Sequence, residues 1–151
     1  MKLQGRSAVA TGCLLLVILM AGCVAPSTDS GAFRANAVAA LSSAVGEART
    51  AALALDARVD DQVTNPYADT VVTDSESALG PIQDSFGNVD PPEPEDDALR
   101  DRVTEVLGDT ADACAKARIA VRRDDPGSMR SAAGDLRDLA DRMEALGESL
   151  R

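Results

Sequence analysis

The residue types able to do chemistry in this chain are few, and the missing types narrow the choice further. No histidine occurs among the 151 residues, so the usual general base and the commonest transition-metal ligand are both absent. Carboxylates are abundant: 25 Asp and Glu against 15 Lys and Arg give a formal charge of −10. They concentrate between Val59 and Leu99. There Asp60, Asp61, Asp69, Asp74, Glu76, Asp84, Asp90, Glu93, Glu95, Asp96 and Asp97 occur without one Lys or Arg. Within this stretch Asp69, Asp74, Glu76 and Asp84 form a candidate face for a basic partner protein. Carboxylate oxygens also suit Ca²⁺, but the D-x-D-x-D-G loop spacing is absent, and no metal or other cofactor is assigned. A solvated acidic face, partly neutralised by arginines of neighbouring helices, accounts for the same residues without a ligand.

The remaining chemistry-bearing residues have structural readings. The aspartate pairs Asp60/Asp61, Asp96/Asp97 and Asp124/Asp125 could suggest acid–base carboxylates. Each pair falls at a helix junction, however, where capping and the helix dipole favour aspartate. Cys114 falls mid-helix on an apolar stripe, the place of a buried small hydrophobe rather than a reactive thiolate; intermolecular pairing is its alternative. Met129 and Met143 fit core positions, and haem ligation by either lacks a His or a C-x-x-C-H attachment. Gly46, Gly80, Gly108 and Gly134 lie inside helical stretches, at a cost of about 1 kcal/mol each relative to Ala, which suggests close helix–helix approach. Only three aromatics occur, Phe33, Tyr67 and Phe86. Base or sugar stacking is poorly supplied, and the negative charge opposes nucleic acid as a partner.

Cys23 stands apart from these. Residues 1–7 carry Lys2 and Arg6, and residues 8–20 (AVATGCLLLVILM) form an almost wholly apolar run. A run of about 13 residues is short of the ~20 that span a bilayer and matches the core of a signal peptide. The positive flank orients such a segment with its start in the cytoplasm. Met20-Ala21-Gly22-Cys23 follows. This tetrapeptide resembles the lipobox of bacterial lipoproteins, an aliphatic residue and two small residues before a cysteine, with Met20 where Leu is usual. The resemblance covers about 23 residues. It implies a diacylglyceryl group on the Cys23 sulfur and cleavage between Gly22 and Cys23. An ordinary secretory signal cut near Ala21, or a short buried helix, are the other readings of the same residues. Loss of residues 1–22 removes Lys2 and Arg6 but no acid, leaving a formal charge of −12. Cys114 would then be the one thiol free of lipid, with no intramolecular disulfide available. Residues 23–30 read as a lipid-anchored tether, since Val24–Ser30 is small, polar and holds Pro26.

Residues 31–151 must supply the folded domain, and helical periodicity runs through them. Phe33, Ala37, Leu41, Ala44/Val45, Ala48, Ala52 and Leu55 stripe a first helix over about 32–58, with Asp29 or Ser30 as its cap. A second is expected over about 66–86, capped at Asn65-Pro66, its stripe Ala68, Val72, Leu79, Ile82 and Phe86. Gly80-Pro81 is expected to kink or break it. After a loop at 87–94, a third runs over about 95–123 with Leu99, Val103, Leu107, Cys114, Ala117 and Val121 inward. Its acidic start and basic end complement the helix dipole. Asp124-Asp125-Pro126 opens a fourth over about 126–149, striped by Met129, Ala133, Leu136, Ala140, Met143, Leu146 and Leu150. No strand pattern competes. The fold class expected is all-α, an antiparallel four-helix bundle following a cleaved signal peptide. In size and Ala/Asp/Arg-rich composition the chain resembles small helical lipoproteins of high-GC Gram-positive bacteria, a likeness that carries no activity.

The expected function is that of a membrane-anchored extracytoplasmic lipoprotein, lipid-held at the cell membrane. Its domain is read as a non-enzymatic interaction or structural module of the cell envelope. Its partners would be the membrane, through the lipid, and a basic envelope protein. The alternative is a carrier binding a small apolar ligand or lipid within the bundle, which requires a cavity of roughly 300 Å³ or more. An enzyme is not expected, because no nucleophile–base spacing is recognisable.

Overall fold

The computed structural model of the chain describes residues 29–151. The expected signal segment, its cleavage site at Gly22 and the lipidation site Cys23 lie outside the described residues. Four helices follow one another: α1 (Ser30–Val59), α2 (Asn65–Gly87), α3 (Asp97–Arg122) and α4 (Pro126–Ser149), with a 3₁₀ turn at Pro94–Asp96 leading into α3. No strand occurs among the described residues.

Local chemistry sets three of the four starts. Asp29 is extended and accepts from the Ala32 amide at 2.8 Å, capping α1. Helix α1 therefore begins on Ser30, the last residue of the expected tether. At α2 the cap is Thr64, whose Oγ1 accepts from the Tyr67 amide at 3.4 Å. This is one residue earlier than Asn65-Pro66 suggested. Asn65 is inside the helix, and its side chain is directed to Asp124 instead. Asp125 caps α4, its Oδ1 accepting from the Gly127 and Ser128 amides at 2.9 and 3.1 Å. Each device satisfies amides that a helix N-terminus otherwise leaves unpaired.

The helices pack in a ring, α1 against α2 and α4, and α3 against α2 and α4, with α1 also meeting α3 across the diagonal. The result is an antiparallel, up-down-up-down bundle. Its centre holds Phe33, Leu41, Leu55, Val72, Leu79, Val103, Leu107, Val121, Met129, Leu136 and Met143, all essentially inaccessible. Alanines (Ala37, Ala44, Ala48, Ala52, Ala117, Ala133, Ala140) fill the remaining interior positions. Phe33 and Phe86 stack obliquely at 5.4 Å where α1 begins and α2 ends. Helix α1 is long and apolar enough to cross a membrane by length and composition. Here it supplies one wall of the core, which is the ordinary reason for a long apolar stripe in a bundle.

Two expectations need correction. Helix α2 does not break at Gly80-Pro81: Pro81 lies inside a continuous helix. The carbonyl that loses its partner belongs to Ser77, four residues earlier, and both Ser77 and Pro81 face solvent, where water can replace the missing N–H. The buried residues on the opposite face, Leu79 and Phe86, hold the helix on the core. The internal glycines are not points of close approach either. A Cβ at Gly46, Gly80, Gly108 or Gly134 would have nothing within 4 Å beyond its own helix. The alanine stripes alone bring these helices together.

Candidate functional site

Antiparallel order decides which charges meet. The C-terminal part of α3 lies beside the N-terminal part of α2, so arginines late in α3 face carboxylates early in α2. Arg118 donates to Glu76 through Nε and Nη2 at 2.5 and 3.3 Å, and Arg122 Nε to Asp69 Oδ1 at 3.0 Å. The hydrogen bond and charge of Glu76 raise the Arg118 pKa above its ordinary value. Of the four candidate face residues, Asp69 and Glu76 are thus engaged within the bundle. Asp74 and Asp84 are exposed and make no ion pair among the described residues. The four do not form one surface: Asp69 and Glu76 border α3, while Asp74 and Asp84 point to solvent.

At the end of the bundle formed by the α1–α2 and α3–α4 connections, Arg58 holds both links. Its Nη1 donates to Asp61 at 2.8 Å and its Nη2 to Asp124 at 2.7 Å, and Asn65 Nδ2 reaches the same Asp124 oxygen at 3.2 Å. Among the described residues, Asp61 (φ 55°) and Asp124 (φ 48°) are the two non-glycine residues with left-handed backbone, a conformation Asp tolerates better than most. Hydrogen bonding to Asp61, then to Asp124, raises the Arg58 pKa. Thus two residues that looked like acid–base candidates anchor turns. Sequence reading placed the aspartates at junctions but missed Arg58, whose role depends on two links 60 residues apart in sequence meeting at one end. Arg137 to Asp56, and Arg49 to Glu144 and Asp141, join α4 to α1 in the same manner.

The opposite end gathers the start of α1, the α2–α3 connection and the end of α4. Ser30 Oγ donates to the buried Asp96 Oδ2 at 2.6 Å, fastening the first turn of α1 to the entrance of α3. Arg100 donates to the Gly87 carbonyl at 2.9 Å and lies 3.6 Å from Asp90. Asp84, Glu93, Glu95 and Asp97 at this end are exposed and without an ion pair among the described residues.

Inside the bundle, Cys114 is fully buried. Burial, then the charges of Glu76 and Glu47, push its thiol pKa up to about 12, which removes thiolate chemistry at neutral pH. Thr110 and Ser75 are polar residues also buried along the bundle; Thr110 is the fully inaccessible one. Its hydroxyl donates to the Val106 carbonyl at 2.7 Å, with Met143 Sδ 3.7 Å away. Met129 and Met143 are core residues. Among the described residues no group of three or more Asp, Glu or Cys is placed to hold a metal ion. The spaces between helices are open surface grooves. One of about 490 Å³ lies between α1 and α2, lined by Ala39, Ala40, Ile82, Phe86 and Val89 with Asn36 and Asn88 at its rim. A smaller groove between α3 and α4 runs past Lys116, Ile119 and Arg123. Ser128, Ser131 and Asp135 also line the smaller groove, but among the described residues no hydrogen bond joins either serine to Lys116 or Asp135, and Ser128 Oγ is held by Asp125. Comparison with known protein families, with curated proteins and with solved structures finds no match to this chain.

Proposed function

We propose that this chain is a bacterial lipoprotein, anchored by lipid on Cys23 to the extracytoplasmic face of the cell membrane, whose bundle is a non-catalytic interaction or structural module of the envelope. The observation that carries the reading is Met20-Ala21-Gly22-Cys23 at the end of a 13-residue apolar run with a basic flank. Two features of the bundle support it. Helix α1 begins, with its own cap, seven residues after Cys23, so a folded body follows the anchor at tether length. The body is strongly acidic, a net charge that opposes holding anionic lipid by its own surface. Two or three acyl chains, at about 0.8 kcal/mol per buried CH₂, would instead supply stable attachment.

The non-catalytic part of the reading rests on what the side chains are committed to. Asp125 caps α4, Asp61 and Asp124 hold turns through Arg58, Asp96 accepts from Ser30, several arginines bridge helices, and the one described thiol is buried. A carrier for an apolar ligand needs a pocket that buries most of the ligand's surface; the α1–α2 groove has the volume but lies open to solvent, so an interaction module is the favoured reading. A basic envelope protein is the partner suggested by the net charge.

Mass spectrometry of the protein isolated from membranes tests the anchor. The expected result is a chain beginning at Cys23 with diacylglyceryl on sulfur, and a Cys23→Ala variant that stays uncleaved or is released. An unmodified Cys23, or normal membrane retention of the variant, refutes the reading.

A further inference from the structure

The cation-free stretch of the sequence is continuous from Val59 to Leu99, but the fold divides it between the two ends of the bundle. Three of the five early carboxylates are neutralised, Asp61 by Arg58, Asp69 by Arg122 and Glu76 by Arg118, while Asp60 and Asp74 stay exposed. From Asp84 to Asp97 there are six carboxylates and no cation. Asp90 lies near Arg100, and Asp96 is buried against Ser30. Asp84, Glu93, Glu95 and Asp97 stay exposed and unpaired among the described residues. Four arginines, Arg34, Arg100, Arg102 and Arg151, also occupy this end; Arg100 is held by Gly87 and Asp90, Arg102 turns back on the Ala98 carbonyl, and Arg34 and Arg151 are exposed. The Ser30–Asp96 hydrogen bond shows that this is the end from which α1 starts, hence the end nearest Cys23. The far end holds Arg123 and Arg130, exposed and without an ion pair among the described residues.

We propose that this acidic end is repelled by anionic lipid headgroups, so that the anchored bundle stands off the membrane and presents its α1–α2 and α3–α4 connections outward. The inference rests on the lipoprotein reading. From Cys23 to Ser30 the chain can extend at most about 25 Å, which leaves the acidic end free to come down onto the headgroups or be held away. At physiological ionic strength charges interact over about 8 Å, so repulsion acts on this end and not on the far one, which the 30 residues of α1 place about 45 Å away. A partner would then meet the end braced by Arg58, while the acidic end works as a spacer.

The test uses the full lipidated protein, with a donor dye on a Gln62→Cys variant at the far end and acceptor dyes on vesicle headgroups. On vesicles containing phosphatidylglycerol at low salt, energy transfer is expected to fall below that on phosphatidylcholine alone. The difference is expected to vanish at about 1 M salt, where the screening length is about 3 Å. The variant Asp84→Asn, Glu93→Gln, Glu95→Gln, Asp97→Asn, with unchanged helical circular dichroism, is expected to lose the difference. Transfer indifferent to phosphatidylglycerol overturns the inference. So does transfer that rises with it, as it would if Arg123 and Arg130 drew the bundle flat. Flotation with the vesicles and lipid on Cys23 separate the two readings: their absence defeats both, whereas flotation with indifferent transfer defeats only the stand-off.

Discussion

Gly46, Gly108 and Gly134 stand in the interiors of α1, α3 and α4, and none has a neighbouring helix within 4 Å of the position a Cβ would take. A glycine inside a helix costs about 0.8–1.0 kcal/mol relative to alanine, chiefly through backbone entropy released on unfolding. With no clash to offset that gain, Gly46→Ala, Gly108→Ala and Gly134→Ala should each stabilise the protein by about 1 kcal/mol. They lie on different helices and share no partner, so the triple variant should gain about 3 kcal/mol. For a domain of this length 1 kcal/mol moves the Tm by roughly 3–6 °C. The triple variant should therefore melt roughly 10–15 °C higher.

Thermal and urea unfolding, followed by far-UV circular dichroism, measure this directly. The urea midpoint should rise with an unchanged slope, the signature of altered stability rather than altered exposure on unfolding. Gly80→Ala is the internal control. Its Cβ would also meet no neighbour, but the next residue is Pro81, whose ring crowds a preceding Cβ in helical backbone. Gly80→Ala should gain clearly less than the other three. Destabilisation by Ala at 46, 108 or 134 would refute the reasoning, because it would mean that the helices approach one another through those glycines.

Phe33→Ala should cost about 3–5 kcal/mol, because Phe33 is fully buried and faces Phe86 where three helix ends meet; urea unfolding reads the loss. Cys114 should not react with a water-soluble disulfide reagent in the native protein near neutral pH, given its burial and raised pKa, and should react once urea unfolds the chain; mass spectrometry of the Cys114 peptide reads both states. The Asp125 pKa is lowered by the Ser128 hydroxyl, then by the Ser128 and Gly127 amides, against an ordinary value of 3.8. Its stabilising contribution is therefore complete above the unfolded-state pKa and is lost as pH falls through the lower folded one. Asp125→Ala should lower the Tm at pH 7, and the gap from the natural protein should close as the pH is taken below about 3.8.

How far the sequence discloses this protein depends on the range of the interactions involved. The stripes are local, and they hold: Phe33, Ala37, Leu41, Ala48, Ala52 and Leu55 on α1, and Leu99, Val103, Leu107, Cys114, Ala117 and Val121 on α3, are all buried. A period near 3.6 needs only the helix to express it. Caps are also local, yet Thr64 and Asn65 stand side by side, both good capping residues, and the contest was settled by Asp124 from another connection, which takes up the Asn65 side chain. Pro81 is tolerated because of the face it occupies, which the dipeptide Gly80-Pro81 does not itself reveal.

Charge was the least legible feature. Eleven carboxylates in a row without a cation read as one acidic surface, and composition alone cannot say otherwise. Antiparallel topology brings Arg118 and Arg122 back along α2 and spends them on Glu76 and Asp69, while nothing comparable reaches Glu93, Glu95 or Asp97. The same fold places Ser30, at the start of α1, beside those unneutralised carboxylates. A candidate partner face drawn along α2 therefore becomes two regions with different physics. One is the pair of inter-helix braces at Asp69 and Glu76, with Asp74 left to solvent between them. The other is an exposed negative rim at the end where α1 starts, and there a variant can change charge with little consequence for the core.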